Sequence, residues 1–261
     1  MRTPLRGTML ALALASVTPL AAFDAYDIQT LNDNTPGSTR NELTHGSEQW
    51  HDLAALPGPK ADEDWYRLVQ RPYSSYEVTV DAVSGDIPTR GFQLALVAAD
   101  GVTVLQVATA SALTNRSLRV SNQTDATISD QFIVVRGAAC AAACGSDDVY
   151  RIRAFETTVA VARFLNSGSG TTVLLLQNPA ASSVTGTAHF WSANGTLLAA
   201  QPFTLGAHQM LVLQTASIVP NQAGHITIAH TARYGELSGK ATTLEPATGF
   251  VFESAVTHLP R

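Results

Sequence analysis

The densest group of reactive residue types in this chain is AACAAACGSDD, residues 138–148. It holds both cysteines, Cys140 and Cys144, beside Asp147 and Asp148. A metal site, a redox couple or a staple could each use such a set. Zinc would need two further Cys or His ligands, and no histidine lies between His51 and His189. A thioredoxin-like pair has two residues between its cysteines and opens a helix after a strand. Here three alanines separate them in a segment that ends on glycine. A Cys140–Cys144 disulfide is therefore the expected arrangement, and so short a ring contributes only about 2 kcal/mol.

Carboxylates are the second candidate. Asp62, Glu63 and Asp64 stand at the head of one strand-like run, and Asp147 and Asp148 at the head of another. Were those two strands neighbours, Asp62, Asp64, Asp147 and Asp148 would gather at one rim as oxygen ligands for calcium. The same aspartates would equally form Asx-turns and keep sheet edges soluble. No D-x-D-x-D-G frame accompanies them, and no other cofactor is expected.

Motifs for catalysis fail on spacing. NSGSGTT (166–172) contains the letters of a nucleophile elbow but not G-x-S-x-G, and no helical run follows it. GELSGK (235–240) would need glycine at 234 and a hydroxyl residue at 241 to cradle phosphate. Those positions are Tyr234 and Ala241. His225 and His230 are five apart on an extended run, so they face opposite sides of a sheet. The chain is expected not to be an enzyme, with an unrecognised hydrolase as the weakest alternative.

The elements that would position these residues are short and extended. Charged residues are only 14% of 261, while glycine (18) and proline (12) are frequent and aromatics are 7%. YEVTVDA (76–82) and FQLAL (92–96) alternate with period two, and Asp100-Gly101 and Asn194-Gly195 carry hairpin turn chemistry. No run keeps a helical period, so the expected fold is all-β, with two β-sandwich domains at 42–156 and 157–261. DWYRL (64–68) echoes DVYRI (148–152). Alternation places Tyr66 and Tyr150 inward and Trp65, Arg67, Arg151 and Arg153 outward, with the two runs expected to pair as opening and closing strands.

Ahead of these domains, residues 1–22 read as an export signal: a basic start through Arg6, then an apolar run from Gly7 to Ala22. Residues 23–41 read as a polar leader. Export would favour the disulfide and place the protein in the periplasm or outside the cell, with no membrane span once the signal is removed. A net charge of −5 without a basic run argues against nucleic acid as a partner.

ADEDWYRL (61–68), DDVYRIRAFET (147–157) and the strands between them resemble the bacterial pre-peptidase C-terminal domain, with Asp62, Asp64, Trp65 and Tyr66 on its motif. That resemblance implies a jelly-roll-like sandwich appended to secreted enzymes or surface proteins, some of which bind calcium or polymers. Residues 162–179, 190–198 and 234–253 resemble immunoglobulin-like domains of secreted bacterial proteins, which imply no activity. The expected function is a non-catalytic binding or accessory role at the cell surface, toward a polysaccharide or another surface protein. Trp50, Trp65 and Trp191 are the expected aromatic anchors. The alternative is a structural or assembly component of an exported complex.

Overall fold

The computed structural model describes residues 33–54, 62–112, 114–137 and 144–260. The signal segment, most of the polar leader and Cys140 lie outside them. The strands are β1 (Glu48–Asp52), β2 (Glu63–Arg67), β3 (Ser74–Ala82), β4 (Phe92–Val97), β5 (Val104–Val107), β6 (Thr109–Ala112), β7 (Asn115–Asn122), β8 (Phe132–Gly137) and β9 (Val149–Glu156). They continue as β10 (Val159–Leu165), β11 (Thr171–Gln177), β12 (Val184–Ser192), β13 (Leu197–Leu205), β14 (Met210–Gln214), β15 (Ala223–His230), β16 (Ser238–Glu245) and β17 (Phe250–Thr257). Among the described residues, one helical turn at Ile87–Arg90 and one 3-10 turn at Thr215–Ser217 interrupt an otherwise all-β fold.

The first nine strands form two antiparallel sheets, in the orders β1-β9-β3-β7-β6 and β2-β8-β4-β5. Alternation explains how they stack. Val78, Val80, Leu118 and Ile152 of the first sheet meet Tyr66, Leu94, Ile133 and Val135 of the second in one buried core. Asp100-Gly101 joins β4 to β5, with the Asp100 carboxylate accepting the Val102 and Thr103 amides at 2.9 and 2.8 Å. The glycine takes φ +69° there, a value that side chains resist.

The later strands form one sheet, in the order β13-β12-β15-β10-β17-β16-β11-β14. It folds over itself between β10 and β17, where only Ala160↔Thr257 and Val161↔Val256 pair. Phe164, Phe190, Ile226 and Ile228 then face Leu174, Leu176 and Ala241 in a second core. Asn194-Gly195 makes the β12–β13 hairpin.

The two cores are joined by polar contacts. The Ser75 hydroxyl on β3 accepts the His230 amide at 3.0 Å and the Thr157 hydroxyl at 2.9 Å. The Glu77 carboxylate accepts the Tyr234 amide at 2.7 Å and pairs with Arg119 at 3.1 Å. Tyr73, with φ +52°, sets its ring 4.9 Å from His189 and 5.2 Å from Trp191.

Two expectations about β2 are corrected. It pairs with β8 while β9 pairs with β1 and β3, so the echoing strands face each other across the sandwich. Trp65 is 2% exposed and no anchor. The cause is that the four-stranded sheet is apolar on both faces: Ala95, Val97, Phe132 and Val134 cluster with Trp65 on the side away from the main core. Arg136 lies 5.3 Å over its indole.

Candidate functional site

Period-two geometry sends Asp62, Asp64, Tyr66 and Leu68 to one face of β2, and that face is the core face. An aspartate two positions before a core tyrosine must therefore be buried, and burial demands partners. Tyr66 meets Tyr150 of β9 hydroxyl to hydroxyl at 2.5 Å, and the Tyr150 hydroxyl donates to the Asp64 carboxylate. Since Tyr150 gives its proton to Asp64, Tyr66 must be the donor to Tyr150. Burial, with the Asp64 charge beside it, raises the Tyr150 phenol well above its ordinary range and keeps it a neutral donor.

His51 completes the group. On β1 its neighbour Trp50 points outward, so His51 points in, stacked 5.5 Å from the Tyr150 ring and edge-on to Tyr66 at 5.1 Å. Gln49 gives its amide N–H to the Glu42 carbonyl, which leaves Oε1 to accept from His51 Nε2 at 3.1 Å. With the Nε2 hydrogen so used, Nδ1 faces Asp33 Oδ2 at 3.5 Å. Asp33 arrives on the 33–43 segment, whose carbonyls at Asp33 and Asn41 accept the Trp65 and Arg67 amides and cover the outer edge of β2. One ligand atom each from Asp33, His51 and Asp64 lie within 4.8 Å of one another, and all three residues are buried.

Such a set can hold a cation or a proton. It does not suit calcium, which takes six to eight oxygens and no imidazole; an N/O set of three is closer to the coordination of zinc. The imidazolium form of His51 would donate from Nδ1 to Asp33 and supply the positive charge that two buried carboxylates require. Added calcium is accordingly expected to leave the thermal midpoint unmoved, as differential scanning calorimetry would show. A rise of several degrees with calcium would mean that oxygen ligands gather here or elsewhere.

The four aspartates expected at a calcium rim are not brought together among the described residues. Only Asp64 belongs to the Asp33–His51–Asp64 group; Asp62 is buried just ahead of β2. Asp148 is spent on structure, its two oxygens accepting the Asp86 and Gly145 amides at 2.5 and 2.8 Å. Asp147 is exposed, and its carbonyl accepts the Ser84 hydroxyl. Cys144 packs against the first core, and its expected partner Cys140 lies outside the described residues.

Of the remaining tryptophans, Trp191 is half-buried, its indole N–H donating to Thr227 at 2.8 Å and its ring stacked on His225 at 6.3 Å. Trp50 is 49% exposed on the free edge strand β1. Its ring is backed by the Arg151 guanidinium at 5.8 Å, and its N–H reaches Glu48 at 3.3 Å. Arg151 and Arg153 both bind Asp81, at 3.0 and 2.6 Å. Strand register sets Trp50, Arg151, Asp81 and Asn115 in one row across four strands, and Glu48, Arg153, Thr79 and Ser117 in the next. Near Ser117 and Arg119 this side of the sheet meets an open cavity of about 630 Å³, lined also by Thr231, Arg233 and Glu236.

No family matches the chain, and no curated protein matches it. Among solved structures it is similar to a calcium-binding mutant of Bacteroides uniformis beta-glucuronidase 2 at 14% identity, with a TM-score of 0.22, covering 80% of this chain and 28% of that one. A second Bacteroides uniformis beta-glucuronidase aligns at 11% identity and a TM-score of 0.20, over 82% of this chain and 32% of that one. A beta-glucuronidase from glycoside hydrolase family 2 aligns at 12% and 0.19, over 85% and 26%. The chain thus spans about a third of those enzymes or less, and scores this low carry no argument about fold or function.

Proposed function

We propose that this is an exported, non-catalytic binding protein that takes a neutral polysaccharide on the outer face of its five-stranded sheet, with Trp50 as the stacking platform. The exposed indole of Trp50, with the Arg151 guanidinium over its ring, is the observation that carries the reading. Aromatic rings combine an apolar face with a polar edge, which suits the alternating C–H and hydroxyl surfaces of a sugar. The two rows behind Trp50 supply donors and acceptors across about 14 Å of sheet at the usual strand spacing. Their charges are balanced: Arg151 and Arg153 are matched by Glu48 and Asp81. A face of that kind favours an uncharged polymer over an acidic one.

Retention on immobilised glycans and peptidoglycan tests this. Trp50→Ala is expected to weaken retention about tenfold, the equivalent of ~1.4 kcal/mol, with an unchanged melting midpoint because the ring is exposed. Equal retention of the variant, or no retention of the parent on any glycan, would overturn the reading.

A further inference from the structure

Among the described residues, each sheet of this fold ends in strands whose outer backbone groups have no sheet partner, and such edges invite pairing unless they are blunted. Most of the edges here are. β1 carries Glu48 and Asp52. β2 is covered by the 33–43 segment. β5 is four residues long and slips register against β4 between Leu96 and Val97, and β6 slips against β7. β13 carries Pro202, and its pairing with β12 is offset between Phe190 and Trp191.

Among the described residues, β14 has none of these devices. Its five residues, MLVLQ, pair with β11 in unbroken register from Met210↔Gln177 to Gln214↔Val173. No proline and no charge occurs from Gln209 to Thr215. Met210 and Val212 are 61% and 53% exposed on the outer face. Leu211 and Leu213, on the inner face, pack against the second core yet stay only partly buried.

We propose that the free edge of β14 is a dimer interface, where a second copy of this chain adds its own β14 antiparallel about a two-fold axis that passes between the two copies of Val212. That register sets Val212 against Val212, Leu211 against Leu213 and Met210 against Gln214. Because the offset is even in the two-residue repeat, inner faces meet inner faces, and the partner's leucines extend the row that β14 leaves half covered. Charge, or its absence, selects the occupant. In a two-fold contact every residue near the axis meets its own copy, so a charge there repels itself. A strand without charges is self-compatible, and it offers no ionic feature by which a dissimilar partner would be chosen. The dimer does not depend on the glycan reading, since β14 lies in a different sheet from Trp50.

Sedimentation of the full chain tests the interface with Val212→Lys and Val212→Glu. The parent is expected to dimerise with rising concentration, each variant to remain a monomer, and an equal mixture of the two to recover the dimer, because lysine then meets glutamate at the axis. Hydrogen exchange on the parent provides a second reading: amides of β14 should become more protected as concentration rises. A parent that stays monomeric at every concentration reached would overturn the proposal. So would a dimer indifferent to both substitutions, or a β14 that exchanges equally at all concentrations. Pairing of β14 with a strand of another protein while the pure chain stays monomeric counts against it as well.

Discussion

His51→Phe is expected to lower stability by about 3–5 kcal/mol, the usual penalty for stripping one partner from a buried charge group. For a chain of this size that is a fall of about 10 °C in thermal midpoint. Phenylalanine has nearly the shape of the imidazole ring, so stacking on Tyr150 and contact with Tyr66 are retained. What disappears is the nitrogen facing Asp33, on the one side chain of the Asp33–His51–Asp64 group that can carry a positive charge. A double-mutant cycle with Asp33→Asn separates charge from packing. If the imidazolium neutralises the carboxylates, the double variant will recover a good part of the loss by denaturant titration. Strict additivity of the two single variants would show that His51 acts by shape alone.

That group illustrates what the sequence could disclose. Alternation alone placed Tyr66 and Tyr150 inside, because a strand has only two faces and a tyrosine flanked by charges marks which is which. The same alternation, applied to Asp64, points to a buried carboxylate two residues before Tyr66. Asp33 was beyond such reasoning. It precedes β2 by some thirty residues in a segment with no periodic pattern, and reaches the site only because that segment lies along the β2 edge.

Trp65 failed for a different reason. Reading one face of a strand as outward assumes that this face is wet, but FIVV in β8 is buried at every position and Trp65 lies over the second apolar face. The hairpins at Asp100-Gly101 and Asn194-Gly195 were legible because turn chemistry is a local property of the turn's own residues. The order of strands within each sheet is set by contacts far apart in sequence, and the echo of β2 in β9 pointed to pairing where the fold has stacking.

Acid is expected to loosen the joint between the two cores through His230. Burial, with His258 and Arg119 adding like charge, lowers its pKa from 6.5 to about 3. Its Nδ1 accepts the Ala232 amide at 3.2 Å, which requires the neutral ring, and its own amide is held by Ser75. The folded chain therefore refuses a proton that the unfolded chain accepts between about pH 6.5 and 3. Above that window the group has no effect on stability. As pH falls through it, the unfolded state gains the proton and stability is lost, by about 2 kcal/mol at pH 5 and at most about 5 by pH 3. His230→Asn keeps an acceptor near the position of Nδ1 but does not titrate. Denaturant titrations of both proteins at pH 7 and pH 5 should show the parent losing about 2 kcal/mol more than the variant, the difference a single proton would make. Identical losses in the two would mean that His230 is protonated inside the fold and that the joint accommodates the charge.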